Sequence, residues 1–214
     1  MRAIRCVAAL TNGITIRFAP RLAAHPSKAR LGHKGFDQRF LGTCDCLVSA
    51  QAMQGVYDRL AIQITQALRH RLPIVLVVMN GGLMVAGQIL PRLMFPLEVD
   101  YAHATRYQGA TTGGELNWLS RPKRTLTGRD VLIIDDILDE GITLKAVRDW
   151  CYHAGAAKVW MAVATNKLHD NKAAGIQPDF IGIDVPNRFI FGEGLDYNGY
   201  FRNLTGIYAL PESR

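Results

Sequence analysis

Cysteine is scarce in this sequence, and long hydrophobic segments are absent. The four cysteines, Cys6, Cys44, Cys46 and Cys151, form no CxxC pair. This spacing favours free thiols in a reducing compartment, the cytoplasm, over a disulfide framework, with a metal site as the less favoured alternative. The longest apolar runs, such as residues 74–79, are far shorter than the roughly 20 residues that a transmembrane helix needs. The sequence therefore predicts no membrane-spanning helix.

Acidic residues are missing from the first 36 positions, which carry seven Lys or Arg residues. The rest of the chain holds 18 residues of each sign, so the net charge of +7 belongs to this N-terminal arm. An Arg-rich, acid-poor arm is typical of a targeting peptide. Because it has no clear hydrophobic region or cleavage site, we expect instead a loosely packed extension, partly ordered against a partner subunit. Its only aromatic residues are Phe18 and Phe36, which argues against nucleic-acid binding.

Length and hydrophobic content limit the number of domains. A chain of 214 residues with 49% hydrophobic residues can bury a sizeable core, and this length suits one domain better than two. We therefore predict a basic N-terminal extension over residues 1–45 and one folded domain over residues 46–214.

Beyond the arm, the hydrophobic pattern alternates between helix and strand. Ser49 can cap a first helix, the run after Pro73 is apolar on both faces like a central parallel strand, and Gly155 closes a later helix. The predicted helices are 50–70, 83–93 and 142–153. The predicted strands are 74–79, 98–107, 131–135 and 158–165. Residues 108–128, rich in Gly, Thr and Ser, are too long for an idle connection and predict a mobile functional loop.

Three aspartates follow one of these strands. Asp135, Asp136 and Asp139 lie at its carboxyl end, where open parallel sheets bind ligands. Gly141 permits a tight turn, and the backbone N–H groups of residues 139–143, with the Thr143 hydroxyl, begin the next helix and favour a phosphate. Carboxylates beside an anion site suggest a ligand that carries a phosphate together with hydroxyls or a divalent cation. The alternative is a solvated acidic loop in which Asp139 caps the helix.

Two stretches in this region resemble a known family. DDILDEGIT at residues 135–143 resembles the phosphoribosyl-pyrophosphate (PRPP) motif of type I phosphoribosyltransferases, and VMNGG at residues 78–82 resembles their pyrophosphate loop. Lys167 and the run PDFIGIDVPNRFIFGEGLDYNGYFR at residues 178–202 resemble the hypoxanthine-guanine phosphoribosyltransferases. The resemblance extends from about Pro73 to the C-terminus and leaves out residues 1–45.

The resemblance implies a fold and a reaction. The fold would be α/β, with a central, mostly parallel sheet flanked by helices and a small hood over the base site, formed largely by the C-terminal part of residues 46–214. The reaction would be purine salvage: Mg²⁺-dependent transfer of the phosphoribosyl group from PRPP to hypoxanthine or guanine, giving IMP or GMP and pyrophosphate. A homodimer or homotetramer without membrane or nucleic-acid partners is expected.

The resemblance also assigns roles on the PRPP side. Asp135 and Asp136 would hold the ribose hydroxyls, directly and through Mg²⁺, and Asp139 would act as general base or acid on the purine proton. Asn80 and Gly81 would face pyrophosphate, with a cis peptide bond between Met79 and Asn80. The 5-phosphate would be bound by residues 139–143, namely Asp139, Glu140, Gly141, Ile142 and Thr143.

A second set of residues would serve the purine and the leaving group. Lys167 would donate to the exocyclic oxygen, Phe189 would stack on the ring, and the backbone of Ile190 would meet the ring edge. Asp196 would bind a second Mg²⁺ beside the purine, and Arg202 would stabilise pyrophosphate. Tyr107 would close the mobile loop over the site and exclude water. His103 and His169 are expected to be structural rather than catalytic.

Three positions depart from the family pattern. Glu140 replaces a small hydroxylated residue and adds an acid beside the phosphate site, which we expect to weaken it. Arg106 replaces a common Ser and can alter loop closure. Asp135 replaces a commoner Glu and shortens the reach to the ribose by one methylene.

Two alternatives stay open. The first is a PRPP-sensing, nucleic-acid-binding regulator on the same fold, which would suit the basic arm and the stretch RPKR at residues 121–124. Asp139 and the complete purine end argue against it, because a sensor has less need of them. The second is a phosphoribosyltransferase for another base, which Lys167 and the aromatic run make less favoured.

Overall fold

A six-stranded sheet forms the centre of the molecule. The structure, a computed structural model, describes residues 38–106 and 116–211, and the side chains of residues 40–104 and 117–211. The predicted N-terminal extension, residues 1–45, lies outside these ranges apart from residues 38–45. Tyr107 and residues 108–115 of the predicted mobile loop also lie outside them.

Helices and strands alternate along most of the described chain. The helices are α1 (Gln38–Thr43), α2 (Ala50–Leu68), α3 (Gly82–Ile89) and α4 (Ile142–His153), with a 3₁₀ turn at Leu90–Arg92. The strands are β1 (Asp45–Val48), β2 (Ile74–Met79), β3 (Glu98–Arg106), β4 (Leu116–Ser120), β5 (Asp130–Leu138), β6 (Lys158–Leu168), β7 (Phe180–Pro186), β8 (Ile190–Phe191) and β9 (Ile207–Ala209).

The central sheet has the strand order β4-β3-β2-β5-β6-β7. Its neighbouring strands are parallel except for β3 and β4, which pair antiparallel. Side chains alternate between the two faces, so Leu132 and Ile134 of β5 pack with α2 and α3, whereas Val131 and Ile133 pack with α4. The result is a sheet between two helical layers, in which strands buried on both faces need a continuous apolar sequence.

Several predicted elements are confirmed at their ends. Strand β2 has the predicted bounds, and α4 begins at Ile142 and ends at His153 as predicted. The Ser49 side chain accepts a hydrogen bond from the backbone N–H of Ala52 at 3.2 Å and caps α2. Gly155 follows α4 with φ +87°, a left-handed conformation that suits the residue ending a helix.

Other predicted boundaries were wrong. Strand β5 continues to Leu138 rather than ending at Asp135, so Asp136 also lies on the strand and not in the loop after it. Strand β6 likewise continues to Leu168 and carries Lys167. The two strands extend together because Ile137 and Leu138 pair with Thr165 and Asn166. Partner strands therefore extended both elements past the point where the apolar pattern stops.

The long predicted loop also contains regular structure. Residues 116–120 form β4, which pairs with β3, with Trp118 opposite Ala104. Trp118 also packs on Trp150 of α4, with ring centroids 5.1 Å apart. Predicting a structureless loop over these residues was wrong, because the pairing depends on a partner strand that the local composition does not reveal.

A second sheet of three antiparallel strands, ordered β1-β9-β8, is built from the two ends of the described chain. Phe40 of α1 stacks on Phe191, Tyr197 and Phe201, with ring centroids 5.5–6.0 Å apart. Residues 38–45, which we assigned to the extension, therefore pack against the C-terminal part of the chain. The extension's boundary at residue 45 remains a prediction.

Two smaller expectations concern thiols and membranes. The cysteines of the described ranges, Cys44, Cys46 and Cys151, are free, as predicted, and Cys6 lies outside these ranges. None of the helices formed by residues 38–106 and 116–211 is long and apolar enough to cross a bilayer.

Candidate active site

A cleft of about 360 Å³ opens at the carboxyl edge of the central sheet. Strands β2, β3 and β5 end there together, with Met79 beside His103 and Val77 beside Ile134. The predicted site residues that line the cleft are Asn80, Gly81, Asp135, Asp136, Asp139, Gly141, Thr143 and Arg202. The topology therefore brings the pyrophosphate loop, the acidic motif and the C-terminal arginine into one cleft.

Three backbone segments meet tightly at its base. A Cβ atom on Gly81 would lie 1.9 Å from Oδ2 of Asp136, and one on Gly194 would lie 2.2 Å from the Gly81 carbonyl oxygen. Gly194 also has φ +101°, which favours glycine. The peptide bond between Met79 and Asn80 is cis, as the resemblance implied. Residues 192–206, between β8 and β9, form a loop that we call the hood loop. Positions 81 and 194 must be glycine for the hood loop to lie against the pyrophosphate loop.

The two adjacent aspartates share a poorly solvated position. Asp136 is buried, and its backbone N–H donates to Oδ1 of Asp135 at 2.9 Å. Burial, followed by the neighbouring Asp136 charge, raises the pKa of Asp135 well above its ordinary value. Burial also raises the pKa of Asp136, although hydrogen bonding to Asp135 and the Arg202 charge oppose this. A bound cation would relieve both effects, because it favours the ionised carboxylates.

The start of α4 is the position predicted to bind a phosphate. Gly141 precedes the helix with φ +76° and provides no side-chain cap, so the N–H groups of the first turn stay available to a ligand. Thr143 lines the cleft beside them, whereas the Ile142 side chain is partly exposed. Glu140 is half-buried, and its backbone carbonyl accepts a hydrogen bond from the Ala173 N–H at 2.7 Å.

Asp139 lies between the cleft and the end of β6. Its Oδ2 accepts a hydrogen bond from Nζ of Lys167, and its Oδ1 lies against Nε2 of His169, both at 2.8 Å. Partial burial alone would raise the pKa of Asp139, but the hydrogen bonds from Lys167 and His169 outweigh burial and hold the pKa below its ordinary value. The side chain is therefore a carboxylate at neutral pH.

Arg202 ties the hood loop to the acidic pair. Its guanidinium donates to the Gly194 carbonyl and to Oδ1 of Asp196, and Nη1 lies 3.9 Å from Oδ2 of Asp136. The other Asp196 oxygen accepts the Gly199 N–H at 2.8 Å. Arg202 thus adds positive charge to a cleft that is also lined by Asp135, Asp136 and Asp139.

The predicted purine residues are not among those that line the cleft. Lys167 reaches it through Asp139. Phe189 is 53% exposed, and its ring makes a T-shaped contact with the ring of Tyr197. The Ile190 side chain is buried in the core, which leaves only its backbone for the predicted contact with the ring edge. Asp196 is engaged by Arg202 and Gly199.

Comparison with known proteins gives the family. The sequence model of the phosphoribosyl transferase domain matches residues 45–198. The chain belongs to the phosphoribosyltransferase family. It is 30% identical over 155 residues to a hypoxanthine-guanine phosphoribosyltransferase of Streptococcus pyogenes, a match that covers 72% of this chain and 86% of the relative. It is also 30% identical over 165 residues to the enzyme of that name from Bacillus subtilis, covering 77% and 91%.

Solved structures show the same fold. A hypoxanthine phosphoribosyltransferase of Staphylococcus aureus superposes with a TM-score of 0.76 at 23% identity, covering 82% of this chain and 96% of that one. A hypoxanthine-guanine-xanthine phosphoribosyltransferase superposes with a TM-score of 0.71 at 27% identity, covering 78% and 97%. The predicted type I phosphoribosyltransferase fold is therefore confirmed.

Two histidines of this phosphoribosyltransferase, which we expected to be structural, lie in or beside the cleft. His103 lines the cleft, and His169 contacts Asp139. His103 could have been found from its place at the carboxyl end of a strand that follows the pyrophosphate loop. The position of His169 depends on the path of the chain after β6, for which the sequence has no clear signal.

The buried Glu193 was also missed. It is 3% exposed, and its Oε2 accepts a hydrogen bond from the Tyr57 hydroxyl of α2 at 2.7 Å. A glutamate between two glycines in an apolar run is a possible signal of such a role. Tyr107 of this phosphoribosyltransferase lies outside the described residues, as does the Arg106 side chain, so their roles remain predictions.

Proposed function

We propose that the protein catalyses purine salvage, transferring the 5-phosphoribosyl group of PRPP to hypoxanthine or guanine and releasing pyrophosphate. One observation carries the proposal. A single cleft combines two adjacent carboxylates, the open N-terminus of α4, Arg202 and the Asp139–Lys167 pair. These groups match a substrate with a phosphate, ribose hydroxyls and a pyrophosphate leaving group. Hypoxanthine-guanine specificity is supported by the names of the relatives in both organisms.

The PRPP end of the cleft would bind and orient the sugar. The first turn of α4 and Thr143 would hold the 5-phosphate, with Glu140 and Ile142 contributing only backbone groups. Asp135 and Asp136 would hold the ribose hydroxyls, and Asn80 and Gly81 would face the pyrophosphate. These contacts fix the anomeric carbon in front of the purine, and such positioning lowers the barrier of a two-substrate reaction.

Mg²⁺ fits the acidic pair. Within the described ranges no three His, Cys, Asp or Glu side chains converge on one point, which suits an ion that takes most of its ligands from PRPP and water. Asp135 and Asp136 would hold one Mg²⁺, and the ion would supply charge stabilisation to the pyrophosphate when bound. Asp196 as holder of a second ion requires that Arg202 or the Gly199 N–H release a carboxylate oxygen.

The chain's own residues would then handle charge and protons. The bond between the anomeric carbon and the pyrophosphate oxygen breaks as the bond to the purine nitrogen forms. Arg202 stabilises the negative charge that develops on pyrophosphate. Asp139 accepts the proton that the purine nitrogen loses and passes it to water. Lys167 donates to the exocyclic oxygen of a 6-oxopurine, while Phe189 stacks on the ring and the Ile190 backbone meets its edge.

A base-by-base rate comparison tests the proposal. Purified protein, PRPP and Mg²⁺ are given hypoxanthine, guanine, xanthine, adenine or a pyrimidine, and pyrophosphate release is followed. We expect release with hypoxanthine and guanine and none with adenine, which presents an amino donor where Lys167 needs an acceptor. Pyrophosphate release only with another base would assign a different substrate. No release with any base would contradict the proposed enzymatic activity.

The regulator alternative has no support in the comparisons, since the relatives reported above are named as enzymes. Binding of PRPP without transfer, together with salt-dependent binding to nucleic acid, would revive it. A further part of the proposal is that Tyr107 closes the mobile loop over the site, which the kinetics of Tyr107→Phe would test. Assembly as a dimer or tetramer is another part and is tested by sedimentation.

A further inference from the structure

His169 contacts the proposed general base from outside the cleft. It follows β6 directly, and its side chain is only 8% exposed, whereas the Asp139 side chain is 45% exposed. The distance from Nε2 to Oδ1 of Asp139 is 2.8 Å. A buried ring atom thus meets the carboxylate on the side that faces the protein.

The second ring nitrogen determines the tautomer. The backbone N–H of Asn171 donates to Nδ1 of His169 at 3.1 Å, so Nδ1 is the acceptor. The proton must then reside on Nε2, which donates to Asp139. Because both ring nitrogens are engaged, Nε2 has no lone pair to accept a proton from Asp139. The arrangement therefore excludes a proton relay and leaves His169 as a fixed donor.

The neighbouring main chain is held just as firmly. Lys172 directs its ammonium at three carbonyl oxygens, those of Lys167 at 2.8 Å and of Leu138 and Asp139 at 3.3 Å. These contacts fasten the end of β5 to the segment that carries His169. The Lys172 contacts therefore hold the backbone of Asp139 close to the segment that carries His169.

The two donors to Asp139 have different duties in the proposed reaction. Lys167 is also needed by the exocyclic oxygen of the purine, so its ammonium must divide its donors between Oδ2 and the base. His169 is not needed elsewhere and keeps its bond to Oδ1. Without it, the carboxylate would be free to rotate at the moment when it must face the purine nitrogen.

We propose that His169 is a positioning residue that orients the Asp139 carboxylate while Lys167 also serves the purine. The inference rests on the proposed function. It adds to that function a residue that never touches the substrate and acts only through Asp139. The charged and titratable groups that face Asp139 are Lys167 and Lys172, besides His169, and His103, Asp135, Asp136 and Arg202 line the same cleft.

The test compares variants that keep or lose the donor. His169→Gln places an amide donor near the position of Nε2, whereas His169→Phe fills the space without a donor, and His169→Leu serves if the Phe variant does not fold. We expect kcat to fall about tenfold in the donor-free variant, because a small misplacement of a catalytic group costs up to about 10² in rate. The KM for PRPP should change less than about twofold, since PRPP binding uses other residues.

Two further readouts separate positioning from packing. The acidic limb of the kcat/KM profile for hypoxanthine should move to higher pH in the donor-free variant, because Asp139 has lost a bond that favours its ionised form. His169→Gln should recover most of the rate and the original acidic limb. His153→Phe, at an exposed histidine near the end of α4, is the matched control and should change neither.

The outcomes are distinct. An unchanged kcat and acidic limb in a folded donor-free variant would overturn the inference, and so would equal losses in the Gln and Phe variants, which would indicate packing alone. A wild-type protein without oxopurine transfer would overturn the proposed function, and the catalytic part of the inference with it. Carbon-13 NMR titration of the Asp139 carboxyl then still shows whether His169 keeps that group ionised, without any substrate.

Discussion

Two features of Asp139 have opposite consequences for its proton affinity. A good general base needs appreciable proton affinity, yet the Lys167 and His169 bonds lower the pKa of this carboxylate. The conflict is resolved if Lys167 leaves for the purine, because Asp139 then loses one of its two donors as the purine proton arrives. Proton affinity would thus rise in the occupied site.

Replacing Asp139 with Asn tests its role directly. The amide keeps the size of the side chain but cannot accept the proton, so we expect kcat to fall by about 10² or more, within the range of general acid-base groups. PRPP binding, measured by calorimetry with Mg²⁺ present, should be largely retained. Asp149→Asn on α4, whose carboxylate pairs with Lys145 and Arg148, is the control. Near-normal turnover of the Asp139→Asn protein would remove the assigned role.

Lys167→Ala tests the purine contact. Loss of a charge-assisted hydrogen bond should weaken use of hypoxanthine and guanine by about 2–3 kcal/mol in kcat/KM. The KM for PRPP should change much less. Removing Lys167 also deletes a bond to Asp139, so the pKa of Asp139 should rise and the acidic limb should shift upward. Lys158→Ala at the other end of β6 is the control, and damage confined to PRPP binding would show that the purine pocket lies elsewhere.

At the scale of elements, the hood loop after β8 is anchored to α2 by a buried pair. Glu193 has φ +51° and a carboxylate with one oxygen bonded to Tyr57 and the other, Oε1, buried without a partner within the described structure. Burial raises the pKa of Glu193, and the Tyr57 hydrogen bond only partly offsets this. The anchor therefore holds Gly194 and Arg202 over the cleft at a cost in stability when Glu193 ionises.

The cost predicts a pH dependence of stability. Because its folded pKa lies above its unfolded value, the folded state binds the Glu193 proton more tightly, and its contribution to stability is lost as pH rises through the folded pKa. Tyr57→Phe should destabilise the protein by about 1–3 kcal/mol, since a buried acceptor loses its donor. The loss should be larger at pH 8 than at pH 4, where Glu193 is mostly protonated in both states.

Urea unfolding of wild type, Tyr57→Phe and Glu193→Gln at these two pH values provides the measurement. Glu193→Gln cannot ionise and should unfold with a weaker pH dependence than wild type. Comparing variants removes the parallel contribution of Asp135 and Asp136, whose pKa values are also raised by burial. Identical pH slopes in all three proteins would show that Glu193 does not titrate in this range.

At the scale of the whole molecule, charge is unevenly distributed. The net charge of +7 equals the excess of basic residues in the first 36 positions, and the remainder is balanced. Every residue that lines the cleft lies after residue 77. Catalysis and non-specific attraction to polyanions should therefore reside in different parts of the chain.

Deleting residues 1–36 tests this separation. We expect kcat to stay within about twofold, since a loosely packed extension, as we predict for these residues, tolerates removal. Any low-salt binding to single-stranded DNA should disappear with the deletion. A full-length chain with the seven arm Lys and Arg residues changed to Gln is the control for charge alone. Loss of transfer activity in the shortened chain would place the arm in the catalytic body.

The sequence by itself determined the order of the elements from α2 to β6, apart from β4, and predicted most of the side chains that line the cleft. An apolar run such as residues 74–79 has few options other than a buried strand, because exposing it to water costs free energy along its whole length. Adjacent aspartates before a Gly and a Thr predicted an acidic site next to a phosphate cradle, because these local backbone and charge effects act over a few residues. The cis peptide bond between Met79 and Asn80 was expected only from the resemblance to the family.

Only the tertiary structure decided how far strands extend, what surrounds Asp139 and how the hood is held. The lengths of β5 and β6 are set by mutual pairing, and pairing depends on a partner strand far along the chain. His169 meets Asp139 and Glu193 meets Tyr57 across separations of 30 and 136 residues. Contacts of this range arise from the folded path of the chain, and no pattern local to either residue encodes its partner.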